Sequence, residues 1–167
     1  MGPTSISPDE ISSTKTDGAP SKIRFIWDTY HLYVHELKKQ IKPTPEIIVS
    51  IGKGGSIPGV ILAELYGVNN LNLGLSSYEK QNRNKIHEYQ SIDSKHFDTL
   101  RDMNVLIVDD IADSGATMKY AVDKFKQNYC TKVTTATVFY KDCSVFKPDF
   151  YSEQIDKAVW IVQPWER

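Results

Sequence analysis

VLIVDDIADSGAT, residues 105–117, decides how this chain is read. Val105, Leu106, Ile107 and Val108 follow one another without polar alternation, which is the pattern of a strand covered on both faces in a parallel sheet. Asp109 and Asp110 come next, at the C-terminal end of that strand, where open α/β sheets hold their ligands. Asp113 then opens a turn of small residues, Ser114, Gly115, Ala116 and Thr117. Beyond it Met118, Ala121, Val122 and Phe125 recur at helical spacing, so the turn leads into a helix N-terminus.

Such a turn suits a phosphate. Free backbone N–H groups and the positive end of the helix dipole converge where Ser114 and Thr117 add hydroxyl donors, and Gly115 lets the backbone come close. Three carboxylates look wrong beside an anion until they are divided by position. The strand-end acids suit sugar hydroxyls or a hard cation, and the glycine turn suits the phosphate. The implied ligand is a phosphorylated sugar. The stretch is neither a Walker A loop, which needs a Gly-Lys-Ser/Thr ending, nor a dinucleotide fingerprint, which needs three spaced glycines.

The surrounding chain is ordinary globular material sized for one domain: 167 residues, 40% hydrophobic and 25% charged. Lys and Arg total 20 against 21 Asp and Glu, a balance that argues against nucleic acid as the main partner. The apolar runs are too short for a membrane span, and the opening residues lack a basic-then-apolar signal, so a cytoplasmic location is expected. Two cysteines, Cys130 at a strand edge and Cys143 in a loop, fit neither a disulfide framework nor a metal site. Residues 1–21 are rich in Ser, Thr, Pro and Gly and are expected to be a flexible tail, leaving 22–167 as the domain.

From Ile23 the pattern turns helical, with Trp27, Tyr30, Val34, Leu37 and Ile41 on one face and Pro43 beyond the end. His31 and His35 lie four apart but lack a third ligand, so a surface or packed pair is expected. EIIVSI, residues 46–51, reads as a strand stopped by Gly52, Lys53, Gly54 and Gly55. A helix starting near Pro58 and ending at Gly67 follows, and residues 70–77 give a further strand. Residues 79–97 are polar and weakly periodic, as expected of a mobile lid. A strand over 132–140 comes after the central helix, and the remainder, 141–167, reads as a small cap. Strands alternating with helices give an α/β fold, a twisted parallel sheet flanked by helices.

The apolar strand, paired acids, third acid and small-residue loop together resemble the phosphoribosyl pyrophosphate (PRPP) motif of type I phosphoribosyltransferases. Other segments extend the resemblance, in order, over roughly 23–167. The loop at Gly52–Gly55 exposes amides to an anion and adds the charge of Lys53. It resembles the Arg-Gly-Gly or Lys-Gly-Gly loop with which 6-oxopurine members hold pyrophosphate, often through a cis peptide that would here involve Lys53. Ser76, Ser77 and Tyr78 resemble the Ser-Tyr pair that covers the reacting centre. Lys141 after its strand, and Trp160 and Ile161 in AVWIVQPWER, are similar to the base-binding set of short bacterial xanthine-guanine enzymes.

The resemblance implies the type I phosphoribosyltransferase fold, with the C-terminal cap as a hood over the base pocket. It implies a purine-salvage enzyme that transfers 5-phosphoribosyl from PRPP to N9 of a 6-oxopurine, with Mg²⁺ held by Asp109 and Asp110 directly or through water. The PRPP-binding set would be Lys53, Gly54, Gly55, Asp109, Asp110, Asp113, Ser114, Gly115, Ala116 and Thr117. Lys141, Trp160 and Ile161 would hold the purine. Catalysis would rest on Asp113, Asp109, Asp110, Lys53, Ser77 and Tyr78, in a homodimer or homotetramer. The alternatives are a PRPP-sensing regulator of the same fold and a phosphoribosyltransferase for another nucleobase. The order of preference among hypoxanthine, guanine and xanthine is not legible.

Overall fold

Strands without polar alternation must be covered on both sides, and helices supply the cover. The computed structural model describes residues 12–14, 21–76, 86–93, 97–128 and 132–166. Along them run β1 (Ser12–Thr14), β2 (Lys22–Arg24), α1 (Trp27–Gln40), β3 (Ile47–Ile51), α2 (Ser56–Tyr66), β4 (Asn69–Ser76), β5 (His87–Gln90), α3 (Phe97–Leu100), β6 (Val105–Ala112), α4 (Ala116–Asn128), β7 (Val133–Lys141), β8 (Phe150–Ile155) and β9 (Trp160–Val162). The main sheet has the order β5-β4-β3-β6-β7-β8, parallel throughout except for β5, which runs antiparallel to β4.

Side chains along β3 and β6 divide by parity. Ile48, Leu106 and Val108 meet Tyr30, Val34 and Leu37 of α1 and Leu62 of α2, while Val49 and Ile107 meet Met118, Ala121, Val122 and Phe125 of α4. The periods of 2 and 3.6 thus interlock at two cores, one on each face of the sheet. Burying an aliphatic side chain of this kind stabilises the fold by about 1.5–3 kcal/mol. In the central β6, Val105 to Val108 are all fully buried. Helix ends follow local chemistry: Ser56 Oγ donates to the Gly52 carbonyl at 2.6 Å at the start of α2, and Gly67 ends it with φ +67°.

The expected α/β sheet flanked by helices is present, with four differences. Ile23, read as the start of a helix, lies in β2, which pairs in parallel with β9 so that Lys22 faces Trp160 and Ile23 faces Ile161. Ser12–Thr14, within the expected flexible tail, pairs antiparallel with β2. The cap is therefore a three-stranded sheet built from both ends of the chain, and β8, assigned to the cap, belongs to the main sheet. Within the expected lid, His87–Gln90 form the edge strand β5, and Glu88 accepts from Tyr120 and Lys124 of α4. Cys143 is exposed, whereas Cys130 lies outside the described residues. Among the described residues no helix is long and apolar enough to cross a membrane.

Candidate active site

β6 runs farther than its aliphatic run suggests. Asp109 and Asp110 lie within it, Asp109 opposite Thr137 of β7, and Asp113 stands just past its end. Asp110 donates its N–H to Asp109 Oδ1 at 2.9 Å, and Asp110 Oδ1 accepts the Ile111 N–H at 2.9 Å. Both residues keep some accessible surface, but protein surrounds their carboxylates. Burial, then the charge of Asp110, pushes Asp109 well above the usual carboxylate range. Burial also raises Asp110, against hydrogen bonds from Asp109, the Ile111 N–H and the Gln163 amide that favour its ionised form.

The turn after β6 is shaped by contact with the loop after β7. Gly115 has φ +79°, and a Cβ on it would fall 2.2 Å from Ser144 Oγ and 2.6 Å from the Phe146 nitrogen. The Val145 N–H donates to the Ser114 carbonyl at 2.9 Å, and the Ala116 N–H reaches Ser114 Oγ at 3.4 Å. Ser114, just before α4, is exposed, and Thr117, in its first turn, is part-exposed.

The second loop comes from the end of β3. Gly52 has φ +55°; its N–H donates to the Leu73 carbonyl at 2.8 Å, and its carbonyl accepts Asn72 Nδ2 at 2.9 Å. Lys53 is exposed. Among the described residues the one cis peptide is Lys42–Pro43, so the cis bond expected at Lys53 is not found. Gly54 abuts the acid pair: a Cβ there would lie 2.5 Å from Asp110 Oδ1. The two loops and the acids, distant in sequence, thus meet at the C-terminal edge of neighbouring strands β3 and β6.

Lys141, at the end of β7, is only 5% exposed, and its ammonium pairs with Asp113 Oδ1 at 3.0 Å. The cap brings Ile161, which is buried, and Trp160, which is 47% exposed. Ser77 and Tyr78 lie outside the described residues, as does most of the expected lid over 79–97. Two residues absent from the sequence-derived site set stand beside the acids. Gln163 Nε2 donates to Asp110 Oδ2 at 3.0 Å, and the buried Tyr30 hydroxyl is held far above its usual range by burial, then by Asp110 and Asp109. Gln163 lies just past the end of β9, and Tyr30 reads only as a core aromatic.

A strand-end acid pair, a glycine turn at a helix N-terminus and a lysine-bearing glycine loop thus lie together at one edge of the sheet. The sequence profile of the phosphoribosyl transferase domain matches residues 26–166. The chain belongs to this family. Among solved structures, this phosphoribosyltransferase is similar to the purine phosphoribosyltransferase of Pyrococcus horikoshii Ot3, at 25% identity and TM-score 0.76 over 87% of this chain and 95% of that one. The xanthine-guanine-hypoxanthine phosphoribosyltransferase of Helicobacter pylori matches at 23% identity and TM-score 0.69, over 87% and 94% of the two chains. A Neisseria gonorrhoeae protein with bound ppGpp matches at 24% identity and TM-score 0.76, over 87% and 89%.

Proposed function

We propose that this phosphoribosyltransferase transfers the 5-phosphoribosyl group of PRPP to N9 of a 6-oxopurine, releasing pyrophosphate and a nucleoside 5′-monophosphate. The observation that carries the substrate class is the ion pair of Lys141 with Asp113 at 3.0 Å. An ammonium only donates and a carboxylate only accepts, so the pair complements a ligand edge with an acceptor beside a donor. The O6 and N7–H of a 6-oxopurine are such an edge. Adenine presents an amino group at position 6, which a lysine cannot accept from. The names of the Pyrococcus and Helicobacter relatives point the same way.

The roles of this chain's residues follow from that pose. The amides of the Ser114–Thr117 turn and the Ser114 and Thr117 hydroxyls hold the 5′-phosphate. Lys53 and the amides of Gly54 and Gly55 take the pyrophosphate and stabilise its charge as it departs. Asp109 and Asp110 accept ribose hydroxyls and place negative charge near a ring that becomes oxocarbenium-like. Asp113 accepts the N7 proton as N9 bonds to carbon. Trp160 stacks on the base and Ile161 borders it. Ser77 and Tyr78 belong to the covering segment that excludes water.

The acid pair also fits Mg²⁺. Two carboxylates with raised affinity for protons are hard oxygen donors held in a burial that a cation would relieve, while no group of three or more acidic, His or Cys side chains placed to hold a metal ion occurs among the described residues. Mg²⁺ commonly takes one or two carboxylates and completes its shell with water and substrate phosphate oxygens. When bound it supplies charge neutralisation for the pyrophosphate. The same reading expects a cytoplasmic homodimer or homotetramer.

Incubation with PRPP, Mg²⁺ and one nucleobase at a time, followed by identification of the product, tests the proposal. Nucleotides from hypoxanthine, guanine or xanthine and none from adenine are expected. Product from adenine or orotate alone would overturn the substrate class, and PRPP binding without turnover of any base would favour a PRPP-sensing regulator.

A further inference from the structure

Gln163 is 3% exposed and reaches from the cap to the acid strand, where Nε2 donates to Asp110 Oδ2 at 3.0 Å. Its backbone is set by a closed turn. The Gln163 N–H donates to Glu166 Oε2 at 3.1 Å, and the Glu166 N–H returns to the Gln163 carbonyl at 3.0 Å. Trp165, inside that turn, meets the buried Tyr30 ring edge-on with centroids 5.1 Å apart, and Arg24 of β2 donates to the Glu166 carbonyl at 3.2 Å. The turn is therefore fastened to both α1 and the cap.

Packing does not account for an amide at this position. Gln163 Oε1 is buried without a partner, as is the Tyr30 hydroxyl, and an unsatisfied buried acceptor destabilises a fold. An aliphatic side chain of equal length would remove that unpaired acceptor, but with it the donor to Asp110. What the amide does provide is a second fixed bond to Asp110, whose other oxygen already accepts the Ile111 N–H at 2.9 Å and lies against Gly54. With both oxygens engaged, the plane of the carboxylate is fixed.

We propose that Gln163 is a positioning residue for the transfer reaction, holding the Asp110 carboxylate in one orientation toward the ribose so that the cap and the acid strand act as one unit. The proposal rests on the reading that Asp110 takes the ribose hydroxyls. It concerns a residue that touches no reacting atom and acts through one that does.

A double-mutant cycle with Gln163→Met and Asp110→Asn, assayed with PRPP, Mg²⁺ and hypoxanthine, tests it. Gln163→Met keeps length and removes the donor. Its kcat per folded molecule is expected to fall about 10- to 100-fold, the range for losing a hydrogen bond to a charged group, with KM for hypoxanthine within about twofold. In the Asp110→Asn background the same change should alter kcat less than about threefold. A lowered Tm with normal kcat, or effects of the two substitutions that multiply, would overturn the proposal while leaving the role of Asp110 intact. Full activity of Asp110→Asn would overturn both. Should Gln163→Met aggregate, Gln163→Asn, whose amide is one methylene short, is expected to show the same fall in kcat, and a normal kcat would count against the proposal.

Discussion

Gly54 stands so close to Asp110 that a Cβ on it would lie 2.5 Å from Oδ1 and 2.7 Å from Cγ. The requirement for glycine here is one of space, because only Gly52, Gly67 and Gly115 have positive φ among the described residues. The Gly52–Gly55 loop and the acid strand are consequently interlocked: neither can shift without moving the other.

Gly54→Ala should therefore displace Asp110 or the loop, costing about 1–3 kcal/mol of stability, the usual cost of overpacking. Its kcat/KM for PRPP should fall more than its stability explains. Gly67→Ala is the matched control, since it has open space but φ +67°. It should lose about 1 kcal/mol of stability and leave kcat/KM unchanged. Thermal unfolding and steady-state kinetics on both variants check this, and equal kinetic losses would contradict it.

Ser114→Ala and Thr117→Ala each remove a donor from the proposed phosphate turn. PRPP affinity should weaken by about 1.5–3 kcal/mol for a charge-assisted bond, with purine affinity nearly unchanged. Calorimetric titration with each substrate separates the two, and equal losses would refute the assignment.

Asp109 carries a raised affinity for protons in the folded state. The sign is that of a group whose folded pKa lies above its unfolded value: its contribution to stability is full below the unfolded carboxylate range near 4 and is lost as pH rises through the folded value. Asp109→Asn, which retains an acceptor for the Asp110 N–H, should thus raise Tm of the ligand-free protein at pH 7–8, show little gain at pH 4, and lose turnover. Unfolding curves across that pH range supply the check. A Tm gain that is the same at both ends would contradict the account.

How much of this was legible follows from where each signal resides. Val105 to Val108 announced a doubly covered strand because burial on both faces leaves no polar alternation, and Asp113, Gly115 and Thr117 announced the turn because its chemistry is local. Lys22–Arg24 was hidden: a three-residue strand with one inward side chain has no period to read, and its partner Trp160–Val162 lies at the far end of the chain. His87–Gln90 was read as lid because an exposed edge strand can be polar throughout. Gln163 escaped the site set because what defines it is a hydrogen bond to an acid 53 positions away, and Tyr30 because its ring reads as an ordinary core aromatic. The cis bond expected at Lys53 came from resemblance alone, and the loop meets its close contacts with trans peptides.

Trp160 is half-exposed on the cap, so its ring contributes little to the core. Trp160→Ala should lower purine or nucleotide affinity by about 1–3 kcal/mol, by analogy with bases stacked on aromatic side chains, with Tm and PRPP affinity nearly unchanged. Fluorescence or calorimetric titration with a nucleoside monophosphate measures it. Loss of Tm without loss of affinity would make it a structural residue.

The central claim is that Lys141 and Asp113, 3.0 Å apart, read the O6 and N7–H edge of the purine. The most direct measurement is the ratio of kcat/KM for hypoxanthine to that for adenine, taken in the native protein and in Lys141→Gln. An amide can accept from an amino group as well as donate to an oxo group. Lys141→Gln should therefore lower kcat/KM for hypoxanthine by about 10- to 100-fold and shrink the ratio. An unchanged ratio, with PRPP affinity intact, would contradict the claim.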